Sequence, residues 1–380
     1  MSSSTMNKTE LGGYQDRFWY PRFWDGMTLG VWLKTLKDGS FRVAPRRLGM
    51  AAIITALAPF NSMHAGMEKI IYGKRIANTK LVGPPIFIIG HWRSGTTLLH
   101  EYMIVDKQFS YADTYACFAP AHFLFSRYFM KPVASIIMPK KRPMDNMAAG
   151  LDRPQEDEFA LCSLGIPSTY LNLLFANDKR NYQDYLTLRN LSDEKKDQWL
   201  NGFDWFLRCL TVQNPKQLIL KSPPHTARIS TILRKYPDAK FVHIHRHPYL
   251  LFPSTVNLWM RLSKDEGLQV PTGEHMEEDV LVAFEKMYDA FESDVPLLKT
   301  GQFADIGYDQ LTSAPVDTLE KIYSDLQLSG FDAVKSDLEK FAATQKEYKK
   351  NKFTLNPEIK KVIADRWGNY FRKYGYSQDD

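Results

Sequence analysis

Pro84-Pro85-Ile86-Phe87-Ile88-Ile89-Gly90-His91-Trp92-Arg93-Ser94-Gly95-Thr96-Thr97-Leu98-Leu99 is the stretch whose reading decides the fold. The apolar run 86–89 is short and largely β-branched, which suits a parallel strand covered on both faces. Gly90 and Gly95 bracket a turn in which the backbone must take conformations open to glycine. Thr96 and Thr97 then open a helix whose first amides lack partners within the helix and point back at the loop. With Arg93 beside that helix start, the stretch predicts an anion-binding loop, and phosphate is the usual occupant.

Downstream, the same strand-then-helix order recurs. A strand over 217–220 ends at Lys221-Ser222-Pro223-Pro224-His225 and is followed by a helix over 226–235. Tyr236-Pro237-Asp238-Ala239 turns into a strand over 240–244, which ends at His245-Arg246-His247-Pro248 before a helix carrying Ser254, Asn257 and Trp259. A weaker strand over 302–306 precedes Tyr308-Asp309-Gln310-Leu311 and a helix near 315–326. This alternation predicts an α/β fold: a P-loop-like parallel sheet flanked by helices and joined by right-handed crossovers. Ligands of such sheets sit at the carboxyl ends of the strands. Three of those ends carry cationic or hydroxyl groups here: Arg93 to Thr97, Lys221 with Ser222, and Arg246 with Ser254. Together they predict a pocket for two or more phosphate-like groups.

Upstream, residues 1–80 form an N-terminal extension. Residues 1–12 are polar and expected to be disordered, and 14–32 are strongly aromatic and expected to wrap onto the main body. Residues 48–78 predict one or two helices, with Ile53, Leu57, Met63, Met67, Ile70 and Ile71 as apolar anchors. The apolar run 48–60 is too short to cross a bilayer. It follows Arg42, Arg46 and Arg47 and is read as a core-packing helix, while its composition also allows a weak contact with a membrane surface. Residues 109–150 form an aromatic insertion interrupted by Pro120, Pro132, Pro139 and Pro143, suited to a lid or substrate wall.

Composition narrows the function class. The 380 residues are 44% hydrophobic, 24% charged and 13% aromatic, with a net charge of +6. The mild positive charge suits an anionic substrate, and the long Lys/Arg blocks of a nucleic-acid binder are missing. Cys117, Cys162 and Cys209 are widely spaced, which argues against a disulfide framework and a cysteine zinc site. The polar first ten residues lack the apolar run of a secretory signal. A cytoplasmic location is expected, peripheral to a membrane if the N-terminal helices touch one.

Gly90-His91-Trp92-Arg93-Ser94-Gly95-Thr96-Thr97 resembles the 5′-phosphosulfate loop of the sulfotransferases that use 3′-phosphoadenosine-5′-phosphosulfate (PAPS). Phe241-Val242-His243-Ile244-His245-Arg246-His247-Pro248 with Ser254 resembles the 3′-phosphate element of the same family. The likeness runs from about 84 to 326 and is nearest to the bacterial-type and tyrosylprotein-like branch, with its RSGTT loop. It implies a sulfotransferase domain over 81–380 and sulfuryl transfer from PAPS to a hydroxyl of a lipid, sterol, carbohydrate or other small acceptor. Adenosine 3′,5′-bisphosphate would be the second product, with no metal required. It assigns Arg93, Ser94, Gly95, Thr96 and Thr97 to the 5′-phosphosulfate and Arg246 with Ser254 to the 3′-phosphate. Lys221 matches a strand-end lysine that assists the leaving group; the plainer reading is a solvated strand-end charge. Tyr308-Asp309-Gln310-Leu311 resembles an architectural element of the family, and Lys349, Lys350, Lys352 and Phe353 suit a late loop over the nucleotide.

An acceptor hydroxyl also needs a general base. In the tyrosylprotein branch this is a glutamate downstream of the loop arginine, where the present chain offers only Asp113. Arg153-Pro154-Gln155-Glu156-Asp157-Glu158 resembles an RPxEDE stretch of the family and makes Glu156 the preferred base, with Asp113, His91 and His225 as alternatives. Crowding of the acidic run would raise one pKa; its plainer reading is a helix start at Pro154 with Arg153 as ion-pair partner. His243 and His245 alternate along a strand, but no third ligand is evident and a metal site is not expected. Two other functions fit an anion loop: a P-loop nucleotide kinase or triphosphatase, and an inactive PAPS-binding protein. The first is disfavoured because Thr96 stands where a Walker A loop needs lysine.

Overall fold

The computed structural model describes residues 21–137, 150–177, 182–345 and 355–379. β1 (Ile86–Ile89) lies at the centre of a five-stranded parallel sheet. Its side chains alternate between two cores, as a strand's period of two requires. Phe87 and Ile89 pack on one face with Leu218, Leu220 and Phe241. Ile86 and Ile88 pack on the other with Ile219, Val242 and Ile306.

Preceding β1 are α1 (Leu29–Asp38) and α2 (Leu48–Asn78). After it come α3 (Thr96–Met103), β2 (Phe109–Tyr111), α4 (Thr114–Phe118), α5 (Phe123–Ser126), α6 (Met130–Ile137) and α7 (Asp157–Ser163). Next are α8 (Asp193–Gln213), β3 (Gln217–Lys221), α9 (Ile229–Lys235), β4 (Lys240–His245), α10 (Pro248–Glu266) and α11 (Met276–Asp294). The chain ends through β5 (Phe303–Gly307), α12 (Tyr308–Ser313), α13 (Pro315–Asp325), α14 (Phe331–Gln345), α15 (Pro357–Arg366) and α16 (Gly368–Tyr374).

The sheet order is β2-β3-β1-β4-β5. β1 pairs with β3 on one side and β4 on the other, with Ile88 opposite both Lys221 and Val242. The expected adjacency of three functional strand ends therefore holds. β2, a short edge strand, lies inside the stretch expected to be irregular; three residues carry too little periodicity to announce a strand.

The N-terminal aromatics are structural. Phe23, Trp24 and Trp32 are buried in one cluster with Trp92, Phe159 and Tyr170. Trp24 Nε1 donates to the Glu266 carbonyl at 2.8 Å and Phe23 N–H to the Glu266 carboxylate at 3.1 Å. The aromatic residues of 14–20 lie outside the described residues.

α2 corrects the sequence expectation. It is one helix of 31 residues, and the proposed anchors Leu57, Met63, Met67, Ile70 and Ile71 face outward. The buried side is Met50, Ile54, Ala58, Asn61, His64, Glu68 and Ile76. The helix is apolar nearly all round, so hydrophobicity by itself did not mark which face packs.

Candidate active site

The loop between β1 and α3 is held from several directions. At Gly90, φ is +144° and a Cβ would lie 2.5 Å from the Ile244 carbonyl oxygen. At Gly95, φ is +113° and a Cβ would lie 2.4 Å from the Tyr308 ring. Between them Arg93 itself takes φ +69°, a strained setting for a side-chain-bearing residue and one that concentrates at functional loops. Gly90 N–H donates to Thr226 Oγ1 at 2.7 Å, and Thr255 Oγ1 donates to the Trp92 carbonyl at 3.1 Å. Thr96 begins α3, whose amides face the loop. The Ser94 hydroxyl is buried with no hydrogen-bond partner among the described residues. An enclosed backbone cradle, a helix start and an unengaged hydroxyl are what an oxyanion group requires.

The loop and the β4 end are joined. Arg93 Nε donates to Ser254 Oγ at 3.0 Å, and Arg246 Nη1 donates to the Arg93 carbonyl at 3.0 Å. Arg246 also lies 4.3 Å from the centre of the Tyr308 ring, and its backbone N–H donates to Tyr370 at 3.2 Å. Tyr308, read from sequence as architectural, thus sets both Gly95 and Arg246.

At the β3 end, Lys221 is buried, not solvated. Its ammonium donates to Glu156 Oε1 at 2.8 Å. Tyr170 donates to Glu156 Oε2 at 2.5 Å, and the Tyr170 oxygen in turn accepts from Trp92 Nε1 at 2.7 Å. A continuous chain of polar contacts therefore runs from the loop through Tyr170 and Glu156 to Lys221. Burial, then the neighbouring Glu156 carboxylate, raises the Tyr170 phenol far above its ordinary range, so it acts as a donor. The sequence offers no sign of Tyr170, a solitary tyrosine with no motif around it.

The acidic run does not crowd. Glu156 caps α7 and the helix begins one residue later, so Pro154 precedes it and bridges to Asp113. Asp157 pairs with His225 at 2.6 Å, and Glu158 takes a two-pronged contact from Arg228 at 2.7 and 2.9 Å. Burial pushes Asp157 upward, but His225 and the surrounding hydrogen bonds outweigh it, and its pKa falls below the usual value. The expected partner Arg153 instead meets Glu101 at 3.1 Å. Successive residues at a helix start point in different directions, so each carboxylate finds its own cation.

The other base candidates have structural partners. Asp113 accepts from Ala116 N–H at 2.7 Å as the cap of α4 and pairs with Arg127 at 2.7 Å. His91 is fully buried and lies against its neighbour's carbonyl; burial lowers its pKa to about 3. His243 contacts Asp305 at 2.8 Å and His245 contacts Tyr376 at 2.7 Å. Lys349, Lys350, Lys352 and Phe353 lie outside the described residues.

A cavity of about 340 Å³ meets this chain of contacts at Trp92. Trp92 and Trp259, with ring centres 5.0 Å apart, form its inner wall, and Leu173, Leu186, Val280 and Ala283 line its sides. Tyr170 lies 5.6 Å from Trp259, ring to ring. Among the described residues, none of the insertion at 109–150 contributes to this lining; α5 packs against α2 instead.

Comparison with known proteins gives a consistent result. A family model described as the sulfotransferase family matches residues 84–333. The omega-hydroxy-beta-dihydromenaquinone-9 sulfotransferase Stf3 of Mycobacterium bovis is 35% identical over 362 residues, covering 95% of this chain and 93% of that protein. Sulfotransferase STF9 from Mycobacterium avium superposes with a TM-score of 0.64 at 17% identity, covering 92% of this chain and 96% of that one. Sulfotransferase STF1 from Mycobacterium tuberculosis H37Rv gives 0.56 at 18% identity, covering 95% and 96%. At such identities the two structures speak to the fold.

Proposed function

The chain belongs to the sulfotransferase family and is an enzyme that transfers sulfate, and on that premise we propose that it moves a sulfuryl group from PAPS to the hydroxyl of a lipid alcohol. The observation that carries this reading is the Trp92–Tyr170–Glu156–Lys221 chain, which runs from Trp92, a residue of both the loop and the cavity wall, to the Glu156–Lys221 pair.

PAPS supplies the sulfuryl group and departs as adenosine 3′,5′-bisphosphate. Ser94, Gly95, Thr96, Thr97 and Arg93 receive the 5′ end, and Arg246 with Ser254 the 3′-phosphate. Glu156 takes the proton of the acceptor hydroxyl as the acceptor oxygen bonds to sulfur and the sulfur–oxygen bond to the 5′-phosphate breaks. The arriving proton cancels the charge that holds Lys221, and frees its ammonium to neutralise the departing phosphate oxygen. Tyr170 fixes the Glu156 carboxylate so that proton transfer and leaving-group stabilisation are coupled. Asp113, with its cap and ion pair, supports the neighbouring backbone.

For the acceptor, two features agree. The cavity that Trp92 walls includes Leu173, Leu186, Val280 and Ala283 in its lining, which suits the end of a hydrocarbon chain. The Mycobacterium bovis relative is named for a hydroxylated menaquinone. We assign the acceptor to the isoprenoid-quinone class carrying a terminal hydroxyl.

The test is transfer of radiolabelled sulfate from PAPS by the purified chain into an extracted lipid fraction and into a synthetic hydroxylated isoprenoid quinone. A labelled anionic lipid that forms with the synthetic acceptor supports the reading. Label in a water-soluble product instead overturns the acceptor class, and donor binding without any transfer supports an inactive PAPS-binding protein.

A further inference from the structure

We propose that the outward face of α2, extended by the turn at Phe129 and by α6, docks on the surface of an anionic lipid bilayer. This does not rest on the acceptor assignment; it comes from a helix whose polarity is inverted. α2 turns Asn61, His64 and Glu68 inward, and all three are buried. Asn61 Nδ2 donates to the Asp25 and Met27 carbonyls at 2.6 and 3.0 Å, and Glu68 accepts from Phe125 N–H at 3.0 Å. The outward stripe Ala52, Ala56, Pro59, Met63, Met67, Ile70 follows helical spacing and is exposed along its whole length, Ile70 to 84%. Between Leu48 and Met67 the helix carries no Asp, Glu, Lys or Arg.

The apolar surface continues past the helix. Phe60 and Phe129 both lie against His64, with ring centres 4.0 and 5.6 Å away. Beyond Phe129, α6 exposes Val133 and Ile136, the latter to 83%. A contiguous apolar face of this kind on a folded chain marks an interaction surface.

Charge selects the partner. Exposed Arg46 stands before the stripe, and exposed Lys69, Lys74 and Lys80 stand at its far end. Both ends of the stripe are thus basic, a pattern that matches anionic headgroups around an apolar contact. A second copy laid antiparallel on the same face would oppose these basic ends to one another, which disfavours self-association. α2 is long and apolar enough to span a membrane, but it packs lengthwise on α1, α5 and α8. Spanning would strip Asn61 and Glu68 of their partners, so the helix lies on the bilayer plane instead of crossing it.

The experiment is flotation of the full chain with vesicles of phosphatidylglycerol and phosphatidylcholine in equal parts, against phosphatidylcholine vesicles, at low and high salt. A Met63→Ser, Met67→Ser, Ile70→Glu triple variant and an Arg46→Glu, Lys74→Glu double variant are run beside it, with melting curves as the folding control. The expected result is binding to the anionic vesicles that weakens at high salt, with a loss of about tenfold or more in partitioning in each variant. Absence of binding by the wild-type chain, or binding that neither variant weakens, overturns the proposal. So does a dimer in sedimentation that the triple variant dissolves while vesicles capture nothing. Because no acceptor or donor enters the assay, its failure is separable from failure of the proposed reaction.

Discussion

The Lys221 ammonium lies 2.8 Å from Glu156 Oε1, and 65 residues of chain separate the two. The contact exists because β3 ends beside β1 while the start of α7 comes to the same sheet edge. Both groups stand where ligands of a parallel sheet gather. In a family whose reaction creates negative charge on one oxygen and removes a proton from another, the proposed mechanism takes one group of the pair for each.

Glu156→Gln is expected to keep the fold and the affinity for adenosine 3′,5′-bisphosphate while turnover drops about 10²–10⁴-fold. Lys221→Ala should lower turnover by about 10²–10³-fold, as removal of an oxyanion donor does. If the two residues act as a unit, the double variant is little worse than Glu156→Gln alone. Additive losses, or unchanged turnover in Glu156→Gln, would move the base elsewhere.

Tyr170→Phe removes one donor from Glu156 and leaves Trp92 Nε1 buried without its acceptor. The expected cost is about 1–3 kcal/mol in stability, read by denaturant unfolding. Turnover should fall with donor affinity unchanged, because Glu156 loses the contact that fixes its carboxylate. A variant with wild-type turnover would reduce Tyr170 to a packing residue.

Arg93→Ala and Arg246→Ala are each expected to abolish the thermal stabilisation given by adenosine 3′,5′-bisphosphate. Arg93 meets Ser254, and Arg246 meets the Arg93 carbonyl, so either loss loosens the join between the loop and the β4 end. Calorimetry with the bisphosphate measures it directly; wild-type affinity in either variant removes that residue from the donor site.

Stability should fall as pH rises above neutrality. Burial pushes Glu266 up to about 8 and Glu68 up to about 7, both from an ordinary 4.5. Above 4.5 the unfolded chain releases these protons while the folded chain keeps them until pH passes through the raised values, so the unfolded state gains with rising pH. His91 and His122, held by burial at about 3 and 4, act in the opposite sense, but only below their ordinary 6.5. Between pH 6.5 and about 8, Tm is therefore expected to decline, with a shallower slope in Glu266→Gln. A rising Tm over that range contradicts the assignment.

What could be read without the fold was local. The run Ile86–Ile89, the glycines that follow and the helix-opening threonines are contiguous, so one strand, one loop and the helix start behind it were legible together. Lys221 and Arg246 were legible because each closes an apolar run. Tyr170 was not, because nothing near it in the chain marks it. The acidic run was visible but its division was not. Its three carboxylates pair with Lys221, His225 and Arg228, all in the segment from β3 to α9, and only the packing of α7 against that segment selects which takes which.

The sequence by itself determined the order of four of the five strands with the helices that follow them, the strand–loop–helix at 86–99 and the set of charged groups at the strand ends, since these follow from short-range periodicity and backbone permissiveness. The tertiary structure decided the rest: that Glu156 faces Lys221, that Trp92 and Trp259 together wall a cavity, and that α2 turns its polar residues inward. Those outcomes depend on directions between elements far apart in the chain. A helix apolar on nearly every side, or three carboxylates in a row, specifies no direction until a neighbour supplies the cation, the carbonyl or the surface that each group meets.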